Sequence, residues 1–275
     1  MRIDDTDRLE ADPQDQIEIE IQDSPNHGGR IVPEYLVIHY TAGRSGESSA
    51  RHFMDPQAKA SAHIVLDRSG KIWQLVPFTI RAWHAGVSAW AGRHGLNDFS
   101  IGIEIDNAGR LQKSGNRYQA WFGGSYEEDQ VIHARHKNEQ SEFPWHAYTE
   151  RQLDVLMTLS KLLVERYRLK DVVGHDDIAP GRKADPGPAF AMNSFRSALF
   201  GRGDLVTAEA EYVVRVPALN LRAGPGTEFP VLTTLTAQTR LSLLEMRSLW
   251  AKVVLLEGSQ TEGWVRNAFV TPLAA

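Results

Sequence analysis

The chain has 275 residues, 42% of them hydrophobic, and a formal charge of −5; this suits one large domain or a medium domain with a small companion, and suggests no polyanion partner such as nucleic acid. It contains no cysteine, so disulfides and thiolate ligands are excluded and any metal site must be built from His, Asp and Glu. The acidic opening "MRIDDTDRLEADPQDQIEIE" lacks the basic start and apolar core of a secretory signal, and no later run reaches membrane-spanning length, so the expectation is a soluble cytoplasmic protein, with export by another route left open.

Residues 1–30 are charged and end in the turn-rich "DSPNHGGR", which reads as a mobile acidic arm with one short strand at "IEIEI". "YLVIHYT", 35–41, has the continuous apolar character of a buried strand, and "AHIVLDRSGKIWQLVP" reads as a hairpin turning at Arg68 to Lys71. "SIGIEIDN" alternates: Ile101, Ile103 and Ile105 share one face, which puts Glu104 on the other. Residues 110–146 are polar, aromatic and irregular, as an insertion outside the central sheet would be. From Thr149 the apolar spacing of Leu153, Leu156, Met157, Leu163 and Tyr167 predicts a helix to Arg168, opened by a Thr149/Gln152 capping box. A strand at "DVVGH" follows. Strands interspersed with helices predict an α/β domain over 31–205, with a mixed central sheet flanked by helices.

"VVGHDDIAPGRKADPGPAF", 172–190, places His175, Lys183 and Asp185 on a stretch punctuated by Pro180, Pro186 and Pro188. The prolines fix their own φ and push the preceding residues away from helical geometry, so a stiff loop with neither helix nor regular strand is expected. His39 and His175 each end a predicted strand, and Asp185 follows His175 by ten residues. The three can meet at one sheet edge as a zinc site with a position left for water, and the spacing equally permits three unrelated polar residues.

After residue 205 the pattern changes to short β-type runs: "YVVRV", "LNLRAGPGTEFPVLTTL", "TRLSLLEM", "WAKVVLL" and "EGWVRNAFVTPL". Five such runs predict a small all-β barrel over 206–275. "LNLRAGPG" followed by Trp250 and "GWV" resembles a bacterial SH3 domain, which implies a module for cell-wall peptide or glycan; the two tryptophans equally suit its core.

"LVIHYT", "SAHIVLDRSGKIWQLVP", "RAWHAGVS", "NDFSIGIEID" and "GHDDIAPGRKADPGPAF", in that order, resemble the zinc-dependent N-acetylmuramoyl-L-alanine amidases of the type 2 amidase family. "RAWHAGVS" and "NDFSIGIEI" look most like the branch that recycles 1,6-anhydro-muropeptides. The resemblance implies His39, His175 and Asp185 as ligands of Zn²⁺, Glu104 as the catalytic acid or base, Lys183 as its partner, and peptidoglycan or a muropeptide as substrate. His84, Trp83 and Asn97 are expected around the substrate cleft, with Arg182 on a stem carboxylate. His63 either assists there or is a buried structural histidine. The compact recycling enzymes lack the 110–146 insertion and the SH3-like tail. A non-catalytic peptidoglycan receptor and a lytic effector acting on intact wall are therefore the competing expectations.

Overall fold

The computed structural model describes residues 1–200, 211–247, 249–258 and 261–273. At the centre of the first domain lies a six-stranded mixed sheet in the order Asp171–Gly174, Tyr35–Tyr40, Ser100–Ile105, Ile64–Leu66, Ile72–Gln74, Ile19–Ile21. The first four strands are parallel, Ile64–Leu66 and Ile72–Gln74 form the expected hairpin, and Ile19–Ile21 closes the edge parallel to Ile72–Gln74. Both faces are covered, which is why "YLVIHYT" reads as an unbroken apolar run. Leu36, Ile38, Ile101, Ile103 and Ile105 share a core with Leu156, Leu159 and Leu163, while Tyr35, Val37 and Val173 pack on the other side with Ala85, Leu96 and Ile178. The long helix Glu150–Tyr167 begins at the predicted capping box, where the Thr149 hydroxyl accepts from the Gln152 amide and the Gln152 side chain accepts from the Thr149 amide.

Residues 1–30 are not the mobile arm expected from their charge. Arg2–Ile3 pairs with Leu9–Glu10, His27–Arg30 pairs with Ile80–Ala82, and Leu9 is buried with its amide on Gln74 Oε1. The acidic side chains that suggested solvation find cations nearby: Lys71 pairs with both Glu18 and Glu20, and Arg8 with Asp23. The insertion also has structure of its own. Gln112–Ser114, Arg117–Gln119 and Ser125–Tyr126 form a small sheet, and Val131–Arg135 pairs with Glu142–His146. Two of its aromatics are core residues: Tyr118 packs with Leu111 and Val131, and Trp145 enters the main core. In the proline-rich segment, one helical turn, His175–Ile178, precedes the first proline; Asp177 Oδ2 starts it by accepting from the Gly174 amide at 2.7 Å.

The tail forms an all-antiparallel sheet of seven strands among the described residues, consistent with an SH3-like barrel. Two of the five predicted runs each divide. The chain turns at residues 223–230 between Ala218–Arg222 and Val231–Thr236, and a 3-10 turn, Asn267–Phe269, separates Glu262–Arg266 from Val270–Pro272. Trp250 and Trp264 are buried. The barrel sits on the start of the long helix. Arg266, 1% exposed, pairs with Asp154; Arg222 pairs with Glu150 at 2.6 Å; and Thr227 donates to Asp154 at 2.6 Å. No helix among the described residues is long and apolar enough to cross a membrane.

Candidate metal centre

Strand register builds the site. Glu104 lies opposite His39 on neighbouring parallel strands, and Gly174 lies opposite Ile38 on the other side, so His175 follows at the same carboxyl edge of the sheet. That edge is where parallel sheets expose their strand ends to ligands. Asp185 returns through the proline-rich segment, held by a hydrogen bond from the Asp176 amide to its carbonyl at 2.8 Å. His39, His175 and Asp185 are all buried and each offers one ligand atom to a common point.

The hydrogen bonds behind these atoms assign their protons. Leu96 O can only accept, so Ser100 Oγ donates to it, at 2.5 Å. Ser100 Oγ therefore accepts from His84 Nε2, 3.3 Å away, which leaves His84 Nδ1 as the acceptor for His39 Nε2–H at 2.9 Å. His39 Nδ1 is left with a lone pair. His175 donates Nε2–H to Ala85 O at 3.1 Å, so in the neutral ring its Nδ1 is a lone pair too. Burial, then the neighbouring His175, pushes His39 down to about 4, and burial holds His84 well below the ordinary imidazole value.

Two imidazole lone pairs and a carboxylate oxygen thus face one another. His39 Nδ1 and His175 Nδ1 are 2.9 Å apart, and they lie 3.0 and 2.9 Å from Asp185 Oδ2. Three electron-rich atoms so close repel unless a cation sits between them. A point about 2 Å from all three exists, the usual Zn–N and Zn–O length.

Glu104 is the second element. It lies half-buried on the strand beside His39, and its Oε2 is out of contact with solvent and has no hydrogen-bond partner. Burial, and then the charge of Asp185, push it well above the ordinary carboxylate value, while the charge of Lys183 opposes this. Lys183 itself is exposed.

The residues expected around the cleft fall into a different arrangement. His63 is fully buried, with Nε2 on Ile80 O and Nδ1 accepting from the Gly102 amide. Both ring nitrogens are used by the backbone, which leaves His63 no free polar atom for a ligand. His84 stands behind His39 and orients it; a Cβ at Gly102 would lie 2.4 Å from its ring, which explains the glycine in an otherwise apolar strand. Asn97 Oδ1 accepts from the His84 and Ala85 amides, and Arg182 donates to Ala85 O and Val87 O. These two polar groups pin the 84–87 segment and so position Ala85 O for His175. Trp83 is half-buried beside them, its backbone paired with Ser61.

Other contributors carry no local sequence signal. Asp176 binds His136 Nε2 and Lys137 Nζ, each at 2.9 Å, which ties the insertion to the residue between His175 and the Asp185 contact. Tyr148 donates to Pro186 O at 2.8 Å from the other side.

Comparison with known proteins follows the same two-part division. The sequence profile of the N-acetylmuramoyl-L-alanine amidase family matches residues 28–188, and that of the bacterial SH3 domain matches 217–271. N-acetylmuramoyl-L-alanine amidase AmiD of Escherichia coli K12 is 40% identical over 164 residues, 56% of this chain and 49% of AmiD. The 1,6-anhydro-N-acetylmuramyl-L-alanine amidase AmpD of the same organism is 34% identical over 184 residues, 60% of this chain and 81% of AmpD. The match therefore spans about half of the first relative and most of the second. A crystal structure of an AmpD derivative superposes with a TM-score of 0.47 at 29% identity, covering 69% of this chain and 94% of the other.

Proposed function

Since the chain belongs to the N-acetylmuramoyl-L-alanine amidase family, we propose that it hydrolyses the amide between the lactyl group of N-acetylmuramic acid, including its 1,6-anhydro form, and the L-alanine of the stem peptide. The observation that carries the reading is the meeting of two imidazole lone pairs and a carboxylate beside a second carboxylate with an unpartnered oxygen. His39, His175 and Asp185 are the proposed ligands, and borderline nitrogen donors with a single carboxylate suit Zn²⁺. When bound, the ion supplies Lewis-acid polarisation of the scissile carbonyl and acidifies water.

The chain's own groups do the rest. Glu104, held above the usual carboxylate range by burial, takes the proton of the attacking water and returns it to the departing alanine nitrogen. Lys183 offsets the negative charge that grows on the carbonyl oxygen, in keeping with its electrostatic reach to Glu104 and His39. His84, Ser100, Asn97 and Arg182 fix the ligand imidazoles. A receptor that only binds has no use for a buried, unpaired carboxylate at this point, which favours the enzyme. The SH3-like barrel is proposed to hold wall peptide or glycan, and action on small released fragments carries with it the cytoplasmic expectation.

Digestion of purified muropeptides tests the proposal. Free stem peptide should appear, cease after chelation and return with Zn²⁺; cleavage elsewhere in the peptide, or release indifferent to chelator, contradicts it.

A further inference from the structure

The insertion carries a tryptophan that no part of this mechanism uses. Trp121 is 80% exposed, yet it is fixed: its Nε1–H donates to Ala42 O at 2.8 Å, and its ring meets Phe122 edge-on, 5.8 Å between centres. Arg44 completes the mount by donating to Phe122 O at 3.0 Å while its guanidinium lies 5.9 Å from the Phe122 ring. The tight turn at Gly123, φ 86°, presents the pair.

The anchoring loop is the continuation of the His39 strand. Ala42 lies three residues beyond His39, at most about 11 Å along the chain. It adopts φ 47°, a left-handed conformation that costs a non-glycine residue free energy. Thr41 ties this loop to Asn107 at the end of the Glu104 strand. A rigid indole whose only polar atom is already satisfied offers a bare aromatic face, held close to the catalytic edge. Such a face complements the apolar C–H face of a pyranose ring, and its fixed position spares the ordering cost of binding.

We infer that Trp121 is a stacking platform for the N-acetylhexosamine joined to the muramic residue, so that this chain selects substrates keeping that neighbouring sugar. The inference rests on the amidase reading for its substrate, and its test separates the two. Values of kcat/KM are measured on a monosaccharide muropeptide and on the matching disaccharide muropeptide for wild type, Trp121→Ala and Trp121→Phe. The disaccharide-to-monosaccharide ratio should fall about fivefold to tenfold in Trp121→Ala, through KM, and be partly restored by phenylalanine. An unchanged ratio overturns the inference, as does an equal loss on both substrates. Independently of turnover, chitotriose should give a saturable change in tryptophan fluorescence that Trp121→Phe abolishes. That result with no hydrolysis of either muropeptide keeps the sugar platform and rejects the amidase; absence of the change rejects the platform.

Discussion

Glu104→Gln separates chemistry from folding. Glutamine keeps the volume and burial of the side chain and removes only its capacity to accept a proton. General-base catalysis is worth about 10²–10⁴ in rate, or roughly 2.7–5.4 kcal/mol of barrier, so kcat/KM on muropeptide should fall by that factor with zinc still bound. Stability should move the other way. Glu104 has its folded-state pKa raised above 4.5 by burial and by Asp185, so its ionisation opposes folding: stability is fullest below about pH 4.5 and is lost as pH rises toward the folded value. The zinc-free variant lacks that penalty and should melt no lower than wild type at pH 8, the difference closing toward pH 4.5. Steady-state kinetics, metal analysis and calorimetry on one preparation give all three readings. Activity within tenfold of wild type, with zinc retained, removes Glu104 as the base; a lost activity accompanied by a lower melting temperature makes the effect a folding defect.

His63 provides a pH test of a buried neutral imidazole. Burial lowers it from 6.5 to about 4, so its stability contribution is intact above pH 6.5 and declines by up to about 3 kcal/mol as pH falls to 4. Denaturant titrations should therefore show a shallower acid slope for His63→Asn than for wild type, and parallel slopes refute the assignment. Arg266→Ala removes the buried half of an ion pair whose partner, Asp154, still touches water, and should cost about 3 kcal/mol; a loss under about 0.5 kcal/mol means the barrel is not held by this contact. Asp176→Asn weakens the tie from His136 and Lys137 to the metal loop, so zinc affinity should drop about 10- to 100-fold; competition with a chromophoric chelator measures it, and an unaltered affinity excludes the tie.

The sequence revealed most where one strand or one loop contains the whole signal. The alternation of Ile101, Ile103 and Ile105 put Glu104 on the correct face, the Thr149/Gln152 box began the long helix where expected, and the strand ends at His39 and His175 meet through parallel register. It revealed least where a contact joins distant segments. Nothing near Asp176 announces His136, forty residues away, and the charge of residues 1–30 hid the lysine and arginine that neutralise it. The polar residues of "RAWHAGVS" and "NDFS" suggested a substrate cleft because side-chain type alone does not distinguish a group facing solvent from one spent on backbone. Ser100 and Gly102 carry no sequence signal for the same reason: their roles appear only once the His84 ring lies against them.

Metal content of the chain addresses the central claim most directly. One zinc ion per chain is expected for the wild type purified without chelator, with His175→Ala and Asp185→Ala each folded but retaining far less than one. A wild-type chain that binds no divalent ion at micromolar free zinc, or alanine variants that hold it as tightly, would contradict the account.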